Sequence, residues 1–174
     1  MTANNTTALL MIDLQNDYFE DGLFPLWQAE QTKDRIIGLA QKVAQAGGQL
    51  IHVQHQADPA KGPAPFFNAD TTGVQIHPDV LAAAPGAPVI VKRFADAFFE
   101  TDLEDTLDRL GVTDIWVCGM MTQNCVTHTA LSKTAEKYRV SVVADGCTTQ
   151  TELLHHIAVH ALSTRMSLVS TEAL

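Results

Sequence analysis

Charge is scarce in this chain of 174 residues: Asp, Glu, Lys and Arg make up 18% of it, and only 11 residues are basic against 20 acidic. No basic stripe runs through it. Phosphate recognition needs clustered Lys and Arg, so a nucleic-acid partner is not expected. Cysteine is sparse too. Cys118, Cys125 and Cys147 form no CxxC pair and leave an odd count, which argues against a disulfide framework and for a reducing, cytoplasmic setting. Long apolar runs are missing, so no membrane span is expected. The opening MTANNTTALL lacks the charged start and apolar run of a signal peptide.

Apolar residues, by contrast, make up 46% of the chain. That balance suits a globular protein, and the length suits a single domain over residues 1–174 with a sizeable core. A surface partly covered by copies of itself needs few charges. The composition therefore also fits a homo-oligomer.

Short apolar runs alternate with segments of helical period. Strands are expected at Ala8–Ile12, Leu50–Val53, Val89–Val91, Asp114–Cys118, Val140–Ala144 and Met166–Val169. Helices are expected at Gln31–Ala46, closed by Gly47 and Gly48, and at Asp102–Leu110, Asn124–Lys137 and Thr151–Ser163. The stretch Asp58–Pro88 breaks the rhythm. It carries most of the prolines, with little periodicity, and reads as a long loop: a lid, a pocket wall or an oligomer contact. Strands spaced by helices of this length imply right-handed crossovers. The fold class is α/β, three-layered, with a six-stranded, mainly parallel sheet covered by helices on both faces.

In such sheets ligands bind beyond the carboxyl ends of the strands. Asp13 ends the first strand, Lys92 ends the third, and Cys125 follows the fourth by a short turn in WVCGMMTQNC. His55 and Asp145 end the second and fifth and are outer candidates. A thiol reacts as its thiolate and needs a proton acceptor or positive surroundings. Asp13 supplies the first and Lys92 the second. Cys125 would lie in the first turn of a helix, whose unpaired N–H groups favour negative charge and suit an oxyanion hole. Gly119 allows the tight turn before it. Taken singly, each residue has a plainer reading: a core Cys, an Asp in a turn, a solvated Lys. Cys118 and Cys147 are read as core residues.

The motif MIDLQNDYF, the IHP at Ile76–Pro78, and the blocks VIVKRFADAFFETDL, WVCGMMTQNCVTHTAL and VVADGC occur in that order. Together they resemble the isochorismatase-like cysteine hydrolases, a superfamily that includes nicotinamidases and other small-amide hydrolases. The resemblance implies a Rossmann-like parallel sheet and a catalytic triad of Asp13, Lys92 and Cys125. It also implies a cis peptide between Met120 and Met121, and an oxyanion hole from the backbone N–H groups of Met121 and Cys125. Dimers, tetramers or larger rings are implied, as are a small-molecule substrate and no cofactor.

Two departures from the pattern stand out. Nicotinamidases carry an Asp-x-His metal cluster after the second strand. Here VQHQAD places His55 at roughly the Asp position and Ala57 at the first His position, so no metal is expected. Many relatives read Ser-Ala-Phe after the Lys, whereas this chain reads Ala95-Asp96-Ala97-Phe98; Asp96 either tunes the pocket or caps the next helix. Phe19, Phe66, Phe67 and Gln123 are candidate substrate contacts. Tyr18, Phe24, Trp27 and His77 are weaker ones. The favoured chemistry is hydrolysis of a small amide or related acyl bond through a thioester. The alternatives are vinyl ether hydrolysis using the Asp alone, a phospho-acceptor module, and a catalytically silent scaffold.

Overall fold

Strand β1, Thr6–Ile12, is apolar and buried without a break from Ala8 onward. Continuous burial, rather than alternation, means that both faces of the strand are covered. The computed structural model, which describes residues 6–173, shows that arrangement. The other strands are β2 (Gln49–His55), β3 (Val89–Lys92), β4 (Val112–Met120), β5 (Arg139–Thr148) and β6 (Ser167–Val169). They lie in the order β3-β2-β1-β4-β5-β6, and all five pairings are parallel. Among the described residues the one antiparallel contact outside the strands is a bridge between Gln15 and Ile76.

Side chains of β1 alternate between two apolar layers. Ala8, Leu10 and Ile12 face one core with Leu103, Leu107, Ala130 and Leu162. Leu9 and Met11 face the other with Ile36, Leu39, Val43 and Val80. Helices α1 (Ala29–Gln45) and α2 (Pro78–Ala83) cover the second layer. Helices α3 (Leu103–Arg109), α4 (Thr127–Ala130) and α5 (Glu152–Ser163) cover the first. α1 buries Ile36, Leu39, Ala40 and Val43, spaced for a single helical face. α5 starts where Thr151 accepts the Leu154 N–H. No helix among the described residues is long and apolar enough to cross a membrane.

Two segments differ from their sequence reading. The expected helix Asn124–Lys137 is broken into a π-helical turn (Thr122–Val126), α4 and a 3₁₀ turn (Thr134–Lys137). Its threonines bond to backbone groups instead of propagating one helix. Thr127 Oγ1 donates to the Thr122 carbonyl at 2.6 Å, and Thr129 Oγ1 accepts the Ala97 N–H at 3.0 Å. The stretch Asp58–Pro88 is not all loop. It holds a 3₁₀ turn at Pro59–Lys61 and the helix α2. α2 has only six residues, too few to show a period, and is marked instead by its start: Pro78 follows His77, whose Nδ1 accepts the Asp79 N–H at 3.2 Å.

Asp17 ties this excursion to the body. Its buried carboxylate accepts N–H groups from Leu23 (3.2 Å) and Phe67 (2.7 Å), and its own N–H donates to the Gly73 carbonyl. Gly73 has to be glycine here, because a Cβ would run into the Asp17 carboxylate. Asp17→Ala is expected to leave the Phe67 N–H buried without a partner. The expected loss is about 1–3 kcal/mol, read by urea denaturation.

Candidate active site

The strand order reverses direction between β1 and β4, which puts the switch-point crevice between those two strand ends. Gly119 lets them approach closely. It lies at φ +117°, and a Cβ there would strike the Ile12 backbone. One residue beyond Ile12, Asp13 adopts a left-handed φ of 52°, a region that Asp tolerates better than most residues. Its N–H stays bonded to the Val53 carbonyl at 2.9 Å. The chain turns off the sheet while the carboxylate stays at the strand ends.

Three expected residues meet at this point. Lys92 Nζ lies 2.9 Å from Asp13 Oδ2 and 3.2 Å from Cys125 Sγ. Asp13, Lys92 and Cys125 are 0%, 1% and 3% exposed, so the ion pair is as buried as the core. The second carboxylate oxygen, Oδ1, is buried with no partner among the described residues.

Electrostatics set the protonation states. Burial pulls the Lys92 ammonium down, but Asp13 and Cys125 outweigh it, and its pKa lies above the ordinary value. The Cys125 thiol is pushed well up by burial and then by Asp13, with Lys92 opposing. The resting group is a thiol, and a thiolate arises only when its proton is taken. Burial also raises Cys118 and Cys147, the latter to about 12. Their thiols donate to the Leu10 and Val143 carbonyls, as suits core residues.

The turn carrying Cys125 begins after a cis Met120–Met121 peptide bond. Asn124 and Val126 both donate to the Met121 carbonyl. Cys125 therefore sits in a π-helical turn rather than in the first turn of a long α-helix. Gln123 places Nε2 at 3.9 Å from Met121 Sδ, and its Oε1 is buried without a partner among the described residues.

The aromatic candidates divide between two places. Phe66 and Phe67 pack with Tyr18 and Phe24, and Phe67 reaches the ring of His55, at 6.0 Å. Burial, and then Asp13 and Cys125, push the Tyr18 phenol far up, so this cluster borders the reactive groups. Phe19 instead packs against His77, with ring centroids 4.6 Å apart and the planes tilted by 60°, below Lys33. Trp27 faces His155, whose Nδ1 lies 2.9 Å from Thr122 Oγ1. His155 escaped the sequence reading because nothing in its helix marks it.

The two outer candidates, Asp145 and His55, and the departure at Asp96 also have definite places. Asp145 does not end β5, which runs on to Thr148; its carboxylate holds the N–H and hydroxyl of Thr171. Asp96 accepts the Phe98 N–H at 2.8 Å and so caps the local turn. His55 does end β2 and joins the site, with Nδ1 3.1 Å from Lys92 Nζ. A groove of about 730 Å³ opens at Thr6, Gly48 and Trp116, toward the amino ends of β1 and β2 and away from every one of these groups.

The nicotinamidase-type metal pattern does not fit this chain, since Ala57 offers no ligand. Asp13, His55 and Cys125 do hold donor atoms within 4.8 Å of one another. The Lys92 ammonium, however, already contacts all three of those residues.

The comparisons bear on the family and the fold. The Isochorismatase domain model matches residues 7–173, and the chain belongs to the isochorismatase family of the cysteine hydrolase superfamily. The uncharacterized isochorismatase family protein YddQ of Bacillus subtilis is 39% identical over 84% of this chain and 79% of its own length. Streptothricin hydrolase of Streptomyces noursei is 33% identical over 79% of this chain and 48% of its own. A crystal structure of an isochorismatase hydrolase from Oleispira antarctica superposes with a TM-score of 0.89 and 32% identity, covering 99% of this chain and 97% of that one.

Replacing Lys92 by Met is expected to strand the Asp13 carboxylate in the core and cost about 3–5 kcal/mol. The double variant Lys92→Met/Asp13→Asn, which removes both charges, should recover part of that loss in chemical denaturation.

Proposed function

We propose that this isochorismatase-family hydrolase is a cysteine-dependent amidohydrolase, cleaving a small amide or related acyl compound through a thioester on Cys125. The observation that carries this reading is the single buried ammonium shared by Asp13 Oδ2 and Cys125 Sγ, beside a bare Asp13 Oδ1. Lys92 bonds one oxygen of Asp13 and leaves free the oxygen that must take a proton.

Asp13 removes the thiol proton as the sulfur attacks the carbonyl carbon, a demand set by the raised pKa of Cys125. Lys92 stabilises the thiolate as it forms. The backbone N–H groups of Met121 and Cys125 receive the developing oxyanion. Protonated Asp13 then returns its proton to the leaving nitrogen, and the C–N bond breaks to leave the thioester. Water, deprotonated by the same carboxylate, attacks the thioester; the C–S bond breaks, the acid leaves, and Asp13 returns that proton to the Cys125 sulfur. Asp13 thus serves as base and then as acid in each half of the reaction.

Two facts favour a small substrate and an amide. Cys125 is only 3% exposed, which suits a slender substrate passing the wall of Tyr18, Phe66 and Phe67. Relatives named nicotinamidase and maleamate amidohydrolase, 29% and 28% identical, act on small amides by name.

In a screen of small amides read by ammonia release, Cys125→Ala and Asp13→Asn should each lose at least about 1,000-fold in kcat, equal to roughly 4 kcal/mol of barrier. Both variants should remain folded by circular dichroism. Full amidase turnover by Cys125→Ala would overturn the covalent route; hydrolysis of a vinyl ether by that variant, but not by Asp13→Asn, would favour Asp-only chemistry.

A further inference from the structure

Lys92 reaches the site from the far side. β3 lies two strands away from β1, beyond β2, so its side chain crosses the end of β2 to meet Asp13. His55 is the residue at that end, paired in register with Lys92. Four adjacent strands thus deliver Lys92, His55, Asp13 and Cys125 in spatial order.

An ammonium has three N–H donors and no acceptor. Lys92 has three partners: Asp13 Oδ2 at 2.9 Å, Cys125 Sγ at 3.2 Å and His55 Nδ1 at 3.1 Å. Since Lys92 only donates, His55 Nδ1 must accept, and the ring is neutral with its proton on Nε2. Burial and the Lys92 charge lower the His55 pKa, in keeping with that state.

His55 is itself held from below. Gln15, fully buried, accepts the His55 N–H with Oε1 and donates Nε2 to the His55 carbonyl, both at 2.8 Å. The same Nε2 donates to the Val74 carbonyl, to which Gln54 also donates. The side-chain amide continues the strand's hydrogen bonding past its end and fixes where the ring stands.

We propose that His55 is a positioning residue that takes the third N–H of Lys92 and holds the ammonium midway between Asp13 and Cys125. The inference rests on the reading of Asp13, Lys92 and Cys125 as the reacting groups, but its first test does not. Without the His55 acceptor, the ammonium is free to rotate toward Asp13 alone. Lys92 then no longer lowers the thiol's resistance to ionisation.

The free protein, labelled with ¹⁵N-lysine, provides that first test. A buried, fully bonded ammonium should show a slowly exchanging NH₃⁺ signal, assigned by its loss in Lys92→Met/Asp13→Asn. His55→Leu should broaden or erase it, while His55→Asn, whose Oδ1 can stand where Nδ1 does, should keep it. An unchanged Lys92 signal in His55→Leu would overturn the proposal, whatever the enzyme's substrate. On an amide that the wild type turns over, His55→Leu should lower kcat at least 10-fold and leave KM within about 2-fold, with His55→Asn recovering most of the loss. A change confined to KM, or no recovery in a folded His55→Asn, would also overturn it. If His55→Leu fails to fold, His55→Gln decides the matter: its acceptor cannot reach the Nδ1 position, so a retained signal and full kcat would sink the idea.

Discussion

One buried ammonium holds this site together. Taking an amine charge out of water costs several kcal/mol unless its partners replace the lost solvation. Lys92 meets that demand with a carboxylate, a thiol and an imidazole, one for each N–H. None of these partners comes from the same strand. The parallel sheet is therefore more than a scaffold, because only its aligned carboxyl ends bring four separate segments within one hydrogen-bond radius. A shift of one residue in any strand would turn its contribution to the other face.

The rest of the local structure serves that convergence. Gly119 lets β4 close on β1, and the left-handed turn at Asp13 releases the chain while keeping the carboxylate in place. Gln15 pins the end of β2. Asp17, two residues further, clasps the Phe67 loop, so the aromatic wall and the ion pair hang from one short segment after β1. Stability and chemistry pull in opposite directions at Cys125. The burial that protects the ion pair also raises the thiol pKa, and the proposed route therefore passes the thiol proton to Asp13.

Much of this was legible along the chain. The central strands read correctly because burial on both faces leaves an apolar run whatever the neighbours are. Asp13, Lys92 and Cys125 read as a group because each comes after such a run. The segment after Cys125 did not, since periodicity cannot show that Thr127 and Thr129 prefer backbone partners to a continuous helix. Asp145 looked like a strand-end residue only because the strand's continuation through Gly146 and Cys147 breaks the apolar run. α2 was missed for want of length.

By itself, the order of apolar runs and helical periods determined the α/β class, the parallel sheet and the edge on which Asp13, Lys92 and Cys125 lie. These come from local patterns of burial, which each segment carries in its own side chains. Only the tertiary structure decided which strand ends are neighbours. That adjacency set the partners of Lys92, made His55 an acceptor rather than a bystander, and left one oxygen of Asp13 bare. Such facts depend on distances between segments remote in the chain, here as many as 79 residues apart for Lys92 and Asp13, and no local pattern encodes them.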